Sequence, residues 1–166
     1  MTSTNAFTPS AENSRSLRDA YSKFTTGITV VTANAPSGPV GMTANSFSSI
    51  SLDPPLVLWA ASLHSRRLPV FKEAEHFAIH VLSDKQRDVC DAFAQSANAF
   101  GQVDHRFNAN NVPLLHNCLA RFECKFSASY PAGDHLIIVG EVEEVELSGG
   151  NALTFFDGDF KNLSME

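Results

Sequence analysis

Residues 121–130, RFECKFSASY, alternate with period two. Phe122, Cys124, Phe126, Ala128 and Tyr130 share one face. Arg121, Glu123, Lys125, Ser127 and Ser129 share the other. This pattern predicts a strand with one face on a core and one face in water. Pro131-Ala132-Gly133-Asp134 follows as a turn, and Gly-Asp is a good hairpin signal. His135–Leu147 reads as a second long strand. Val142 and Val145 have opposite parity in it, so a bulge near Glu143–Glu144 is needed to restore the register. Two long strands joined this tightly commit the second half of the chain to an antiparallel sheet.

The rest of the chain is also punctuated by turns. Leu17, Ala20, Tyr21 and Phe24 fall at i, i+3, i+4 and i+7, the stripe of a short core-facing helix capped by Ser14 or Ser16. A functional reading would take Tyr21 or Phe24 into a ligand pocket instead. ITVVTA (28–33) is a β-branched strand, and PSGP (36–39) is a turn, so 28–33 and 40–50 form a hairpin in this reading. LVLWAA (56–61) suits a strand covered on both faces. Ser65 is placed to cap a helix running to about Ala74, with an irregular start at Pro69. HFAIHVLS (76–83) alternates as a strand. Ser83 with Gln86 resembles a capping box opening a helix of about ten residues, with Val89, Cys90 and Phe93 inward. Asp84, Asp88 and Asp91 read as solvated charge near the start of that helix. Residues 96–115 look like loop, and SGGN (148–151) turns the chain into a last strand, LTFF.

This totals about seven strands and three helices, without a β-α-β rhythm and without G-x-G-x-x-G, which argues against a Rossmann fold. The expectation is a mainly β protein, an antiparallel barrel with helices at its ends. Residues 1–13 form a loose tail in this reading, and 14–166 a single domain, the natural size for a chain of 166 residues.

The formal net charge is −6, and no Lys/Arg block exceeds Arg66–Arg67, so a nucleic-acid partner is not expected. No apolar run reaches the length of a membrane span. MTSTNAFTPSAE has neither a basic start nor an apolar stretch and does not read as a signal peptide. Cys90, Cys118 and Cys124 include no C-x-x-C pair and read as reduced, buried thiols of a cytoplasmic protein.

Six histidines raise the possibility of a metal. His76 and His80 lie four apart, but on a strand that spacing separates them by roughly 13 Å. His64, His105, His116 and His135 fall in separate segments, and no metal is expected. No G-x-S-x-G elbow marks a hydrolase. Three stretches remain. GMTANSFSSISLDPP (41–55) reads as extended chain, yet its middle offers small residues, hydroxyls and an amide where a core strand would carry Val, Ile and Leu. SLHSRR (62–67) combines Ser62, Ser65, Arg66 and Arg67 with the start of a helix. It suits either an anion or a simple cap with solvated arginines. In PAGDH (131–135), His135 either begins a strand or serves a site.

In this order, FTTGITVVTA (24–33), PVGMTANSFSSISLDPPLVLWAA (39–61), HFAIHVLSDKQRDVCDAFA (76–94), PLLHNCLARFECKF (113–126) and GDHLIIVGEVEEVE (133–146) resemble the short-chain flavin reductase family. The resemblance implies a homodimeric, FMN-binding split barrel. It implies an NAD(P)H:flavin oxidoreductase that uses NADH, with NADPH possible, to reduce FMN or FAD for a separate flavin-dependent monooxygenase component. Met42, Thr43, Ala44, Asn45, Ser46 and Ser48 would lie along the flavin, Ser62, Ser65 and Arg66 near its phosphate, and Phe100 nearby. Gly133, Asp134 and His135, with Phe155 and Phe160, would meet NAD(P)H. Asn98-Ala99-Phe100 departs from the family's acidic-basic-Phe triplet, and Asp159 stands where a basic residue is common. Hydride transfer between two cofactors obliges no side-chain acid or base, so His135 is given a positioning role. The alternatives are a split-barrel flavoprotein that reduces another acceptor directly and a flavin-binding module without turnover.

Overall fold

The two alternating strands pair along their whole length. In the computed structural model, which describes residues 6–162, they run antiparallel around Gly133-Asp134. Gly133 has φ 61, as the first residue of a type II′ turn requires, and a side chain would oppose that value. The register slips twice, leaving Ser127 unpaired between Val139 and Gly140, and Glu143 unpaired between Val142 and Glu144, the second bulge falling within the pair marked by the parity of the valines.

A 3-10 turn at Ala11–Asn13 leads into α1 (Ser14–Tyr21). There follow β1 (Thr26–Gly27), β2 (Thr29–Ala35), β3 (Gly38–Ala44), β4 (Ser48–Leu52) and β5 (Pro55–Ser62). Next come α2 (Leu68–Glu73), β6 (His76–Val81), α3 (Arg87–Gln95), β7 (His105–Phe107) and β8 (Pro113–Leu115). The long strands are β9 (Ala120–Ala132) and β10 (His135–Leu147), followed by β11 (Leu153–Phe156) and β12 (Asp159–Asn162). The main sheet has seven strands in the order β3-β2-β6-β9-β10-β5-β4. A smaller sheet is ordered β1-β11-β12, and β7 pairs with β8. The protein is mainly β with few helices.

Two apolar clusters hold these elements. Val31, Val57, Trp59, Phe71, Phe77, Ile79 and Ile138 are buried together, with Trp59 edge-on to Phe71 at 4.9 Å between ring centroids. Leu82, Val89, Cys90, Phe93, Phe100, Leu115 and Leu153 form the second cluster, which packs α3 down as its stripe predicted. Gly41 permits this docking, because a Cβ there would stand 2.4 Å from the Phe93 ring.

Several expectations change. The 40–50 arm is not continuous: β3 ends at Ala44 and β4 begins at Ser48, on the opposite edge of the sheet. Residues 96–115 contain the β7–β8 hairpin. β5 buries Val57, Trp59 and Ala61 but leaves Leu56, Leu58, Ala60 and Ser62 half-covered, so only one of its faces is fully packed. Tyr21 and Phe24 are 68% and 78% exposed, because nothing among the described residues packs over the α1 stripe. Gln86 closes back on the Ser83 N–H (3.1 Å) but is itself the residue that precedes α3. Within the 1–13 tail, Ser10 and Asn13 bond to one another around the 3-10 turn, and residues 1–5 lie outside the described residues.

The supposedly wet face of β9 differs most. Arg121 and Glu123 are buried, and their side chains pair at 3.1 Å. Arg121 also bonds Glu146 at 2.7 Å, which holds that carboxyl below its ordinary pKa. Asn108 donates to the other Glu123 oxygen at 2.7 Å. Beside them, buried His80 bonds the Val30 carbonyl through Nδ1 and accepts the Leu115 N–H at Nε2. Burial pushes the His80 pKa down to about 3. The 105–115 hairpin covers polar side chains that period two alone would leave in water.

Candidate functional site

Met42, Thr43, Ala44, Asn45, Ser46, Ala60, Ala61, Ser62 and His135 line one cavity of about 240 Å³. Strand pairing explains the convergence. His135 opens β10 directly opposite Ser62, the last residue of β5. β3 comes alongside β5 where residues 45–47 cross from one edge of the sheet to the other. Ala44, Ala60 and Ala61 give the cavity a wall without bulk. Ala60 and Ala61 were not singled out from sequence. Their signal was the shrinkage of LVLWAA from Trp to Ala just before Ser62.

Most of the hydroxyls singled out are engaged inside the protein. Thr43 Oγ1 donates to the Cys90 carbonyl of α3 at 2.7 Å. Ser46 Oγ accepts the Ala60 N–H and donates to the Ala60 carbonyl, both at 2.9 Å. Ser62 Oγ accepts from the His64 N–H, and Ser65 Oγ from the Arg67 N–H, each at 3.2 Å. Ser48 Oγ bonds its neighbour's carbonyl on exposed β4 and stands outside the cavity. The groups left free here are the carboxamide of exposed Asn45 and the backbone N–H groups of Asn45, Ser46 and Phe47, none of which makes a hydrogen bond within the described residues.

The two arginines of SLHSRR differ. The Arg67 guanidinium bonds the carbonyls of Gly41 (3.1 Å), Phe93 and Ala94, joining β3 to the C-terminal turn of α3. There it favours the negative end of the helix, while burial pulls its pKa down. Arg66 is exposed and has no hydrogen bond or ion pair among the described residues. Helix α2 starts at Leu68 with Arg67 preceding it, so Ser65 stabilises a turn ahead of the helix and does not cap it.

At the other end, Asp134 Oδ1 accepts the His135 Nδ1–H at 2.8 Å, and this bond depresses the Asp134 pKa. Nε2 of the half-exposed ring is left without a protein partner among the described residues. Three predicted residues lie elsewhere. Phe100 is buried in the second cluster, stacked edge-on to Phe93 at 4.9 Å. Phe155 and Phe160 meet at 5.3 Å in the small sheet, with the Arg87 guanidinium 3.5 Å above the Phe160 ring. A larger cleft of about 590 Å³, between the start of α3 and residues 148–151, contains none of the predicted site residues.

A groove with a small-residue wall, free backbone donors and an oriented imidazole suits a flat, polar-edged ring. Residues 21–164 match the flavin reductase like domain family, and the chain belongs to that family. Over all 166 residues it is 50% identical to FMN reductase (NADH) SmoA of Agrobacterium fabrum, covering 95% of that protein. It is 43% identical over 88% of its length to the stachydrine N-demethylase reductase subunit Stc3 of Rhizobium meliloti, and spans 64% of that longer chain. Among solved structures, the NADH:FAD oxidoreductase SgcE6 of Streptomyces globisporus, in complex with NAD and FAD fragments, superposes with a TM-score of 0.89 at 33% identity. That match covers 96% of this chain and 98% of the other.

Proposed function

We propose that this chain is an NADH-dependent flavin reductase that supplies reduced flavin to a separate flavin-dependent monooxygenase component. The observation that carries the reading is the cavity that gathers Met42–Ser46, Ala60–Ser62 and His135, in a chain half identical to an FMN reductase along its whole length.

Flavin and nicotinamide supply the redox chemistry: NADH and a proton reduce the flavin and leave NAD⁺. The protein binds and orients. Ala44, Ala60 and Ala61 leave room for a ring, and the free N–H groups of residues 45–47 are donors for its polar edge without a buried charge. Arg66, the cation left free beside Ser62 and Ser65, serves the phosphate. Asp134 fixes the His135 ring so that Nε2 faces the nicotinamide nucleotide, and Gly133 supplies the turn that presents the pair. FMN and FAD both fit this assignment. The scarcity of basic residues favours NADH over NADPH.

The main sheet, with β3 and β4 at opposite edges and residues 45–47 bridging them, reads as a split barrel. Its cavity is smaller than the roughly 300–1,000 Å³ usual for small-molecule sites. Leu56, Leu58, Ala60 and Ile137 are half-covered beside it, and Tyr130 is 58% exposed. A homodimer that covers this face would complete the groove, and Phe155 and Phe160 would meet the nucleotide from a second copy. Sedimentation with and without flavin tests this. All three cysteines are free and buried, which suits a reducing, cytoplasmic setting. No helix among the described residues is long and apolar enough to cross a membrane.

The decisive assay mixes the protein with NADH and excess free FMN or FAD and follows nicotinamide absorbance. Sustained oxidation, many equivalents per chain, is expected. No oxidation with either flavin overturns the reading, and a tightly yellow protein without turnover points to a carrier.

A further inference from the structure

β4 and β5 pair with Ser48 opposite Leu58 and Ser49 opposite Val57. Continued backwards by two residues, that register sets Ser46 opposite Ala60. The β4 backbone does not continue there, because residues 45–47 leave the ladder to reach β3. Ala60 would be left with an N–H and a carbonyl unmatched at the sheet edge, a costly state for a half-buried strand. The Ser46 hydroxyl takes both, accepting from the N–H and donating to the carbonyl at 2.9 Å each. One side chain thus replaces the pair of backbone bonds that a continuing strand would have made.

The substitution has two consequences. The single hydroxyl proton of Ser46 is committed to Ala60, so it is not available to a ligand. And because the hydroxyl closes the ladder, the backbone N–H groups of Asn45 and Ser46, which line the cavity, and of Phe47 next to them are left out of it. Among the described residues, no other hydrogen bond joins β3 or residues 45–47 to β5. Ala44, Ser46, Ala60 and Ala61 all line the cavity, so this latch sets the width of the groove.

We propose that Ser46 is a positioning residue, a side-chain latch that holds the split at the width of a flavin ring and turns three backbone donors toward it. This rests on the flavin reading above. Its test compares the parent with Ser46→Ala and Ser46→Thr by FMN titration, by amide exchange at Ala60 in ¹⁵N-labelled protein, and by thermal melting. Ser46→Ala is expected to weaken FMN binding about tenfold and to lose exchange protection at the Ala60 amide. Ser46→Thr, which keeps the hydroxyl, is expected to restore both. The NADH KM is expected to move by less than about twofold, which separates a flavin-side effect from general damage.

If Ser46→Ala is not recovered folded, Ser46→Cys carries the same test, since it is close in size and a weak hydrogen-bonder. FMN binding at the parent's affinity in Ser46→Ala overturns the proposal. So does an Ala60 amide that stays protected without the hydroxyl. A parent chain that binds neither FMN nor FAD overturns the flavin reading and the positioning role together, and the exchange data then report on the latch alone.

Discussion

His80 and His135 stand on the same sheet and are used in opposite ways. His80 lies at 0% exposure with both ring nitrogens bonded to backbone. His135 is half-exposed with one nitrogen held by Asp134 and the other without a partner among the described residues. The arginines divide in the same manner: Arg121 and Arg67 are bound to the protein, and Arg66 has no partner among the described residues. In the β9 polar cluster both Glu123 oxygens and both His80 ring nitrogens are bonded within the protein, so these groups stabilise the fold. Beside the cavity most hydroxyls are bonded within the protein, while the backbone N–H groups of residues 45–47, the Asn45 carboxamide and His135 Nε2 have no partner among the described residues. A binding site arises where the fold leaves polar groups unmatched, and residue type alone does not locate it.

The largest expected effect strikes the satisfied cluster. Arg121→Ala strands Glu123 in a buried site and should cost roughly 3–5 kcal/mol of stability, read from denaturant unfolding. A loss under about 1 kcal/mol would show that the cluster is not closed to water.

His80 adds a pH dependence. Its folded pKa of about 3 lies below the ordinary 6.5, so the unfolded chain binds the extra proton. Stability is fully present above 6.5 and falls as the pH drops toward 3, by about 2 kcal/mol at pH 5. Melting curves across that range check the slope, which should flatten in His80→Gln.

The open side should answer in kinetics and not in stability. His135→Ala should raise the NADH KM about tenfold, the worth of one hydrogen bond, with little change in melting. Unchanged NADH kinetics would reduce His135 to the first residue of a strand.

The smallest effect is Arg66→Ala. It should raise the flavin KM roughly two- to fivefold at low salt and by less at high salt, as an exposed charge does.

Much of this was legible beforehand. The alternation of 121–130, the Gly-Asp turn and the parity break at Glu143 defined β9, β10 and the bulge at Glu143, each by a local rule, while the second bulge at Ser127 left no parity signal. The candidate segments were legible too, since a strand rich in serine and poor in Val and Leu is costly unless its polar groups have partners. The identity of those partners was hidden. The Thr43 hydroxyl goes to the Cys90 carbonyl, Arg67 goes to the end of α3, and Phe100 goes under Phe93. These contacts join residues 26 to 47 positions apart, or pack a ring under a helix, and no local pattern reports them.

Sequence by itself determined the long strands β9 and β10 with their turn, the helix α3 with its buried face, and a polar stretch at 41–55 in want of partners. Those follow from periodicity and turn chemistry, which act over a few residues. Tertiary structure alone decided that Arg121 and Glu123 would be buried, that Arg66 rather than Arg67 would be free, and that Ser46 would complete a ladder its own backbone had left. Each depends on which distant backbone arrives beside a side chain, and that is fixed only when strands far apart in the chain are brought together.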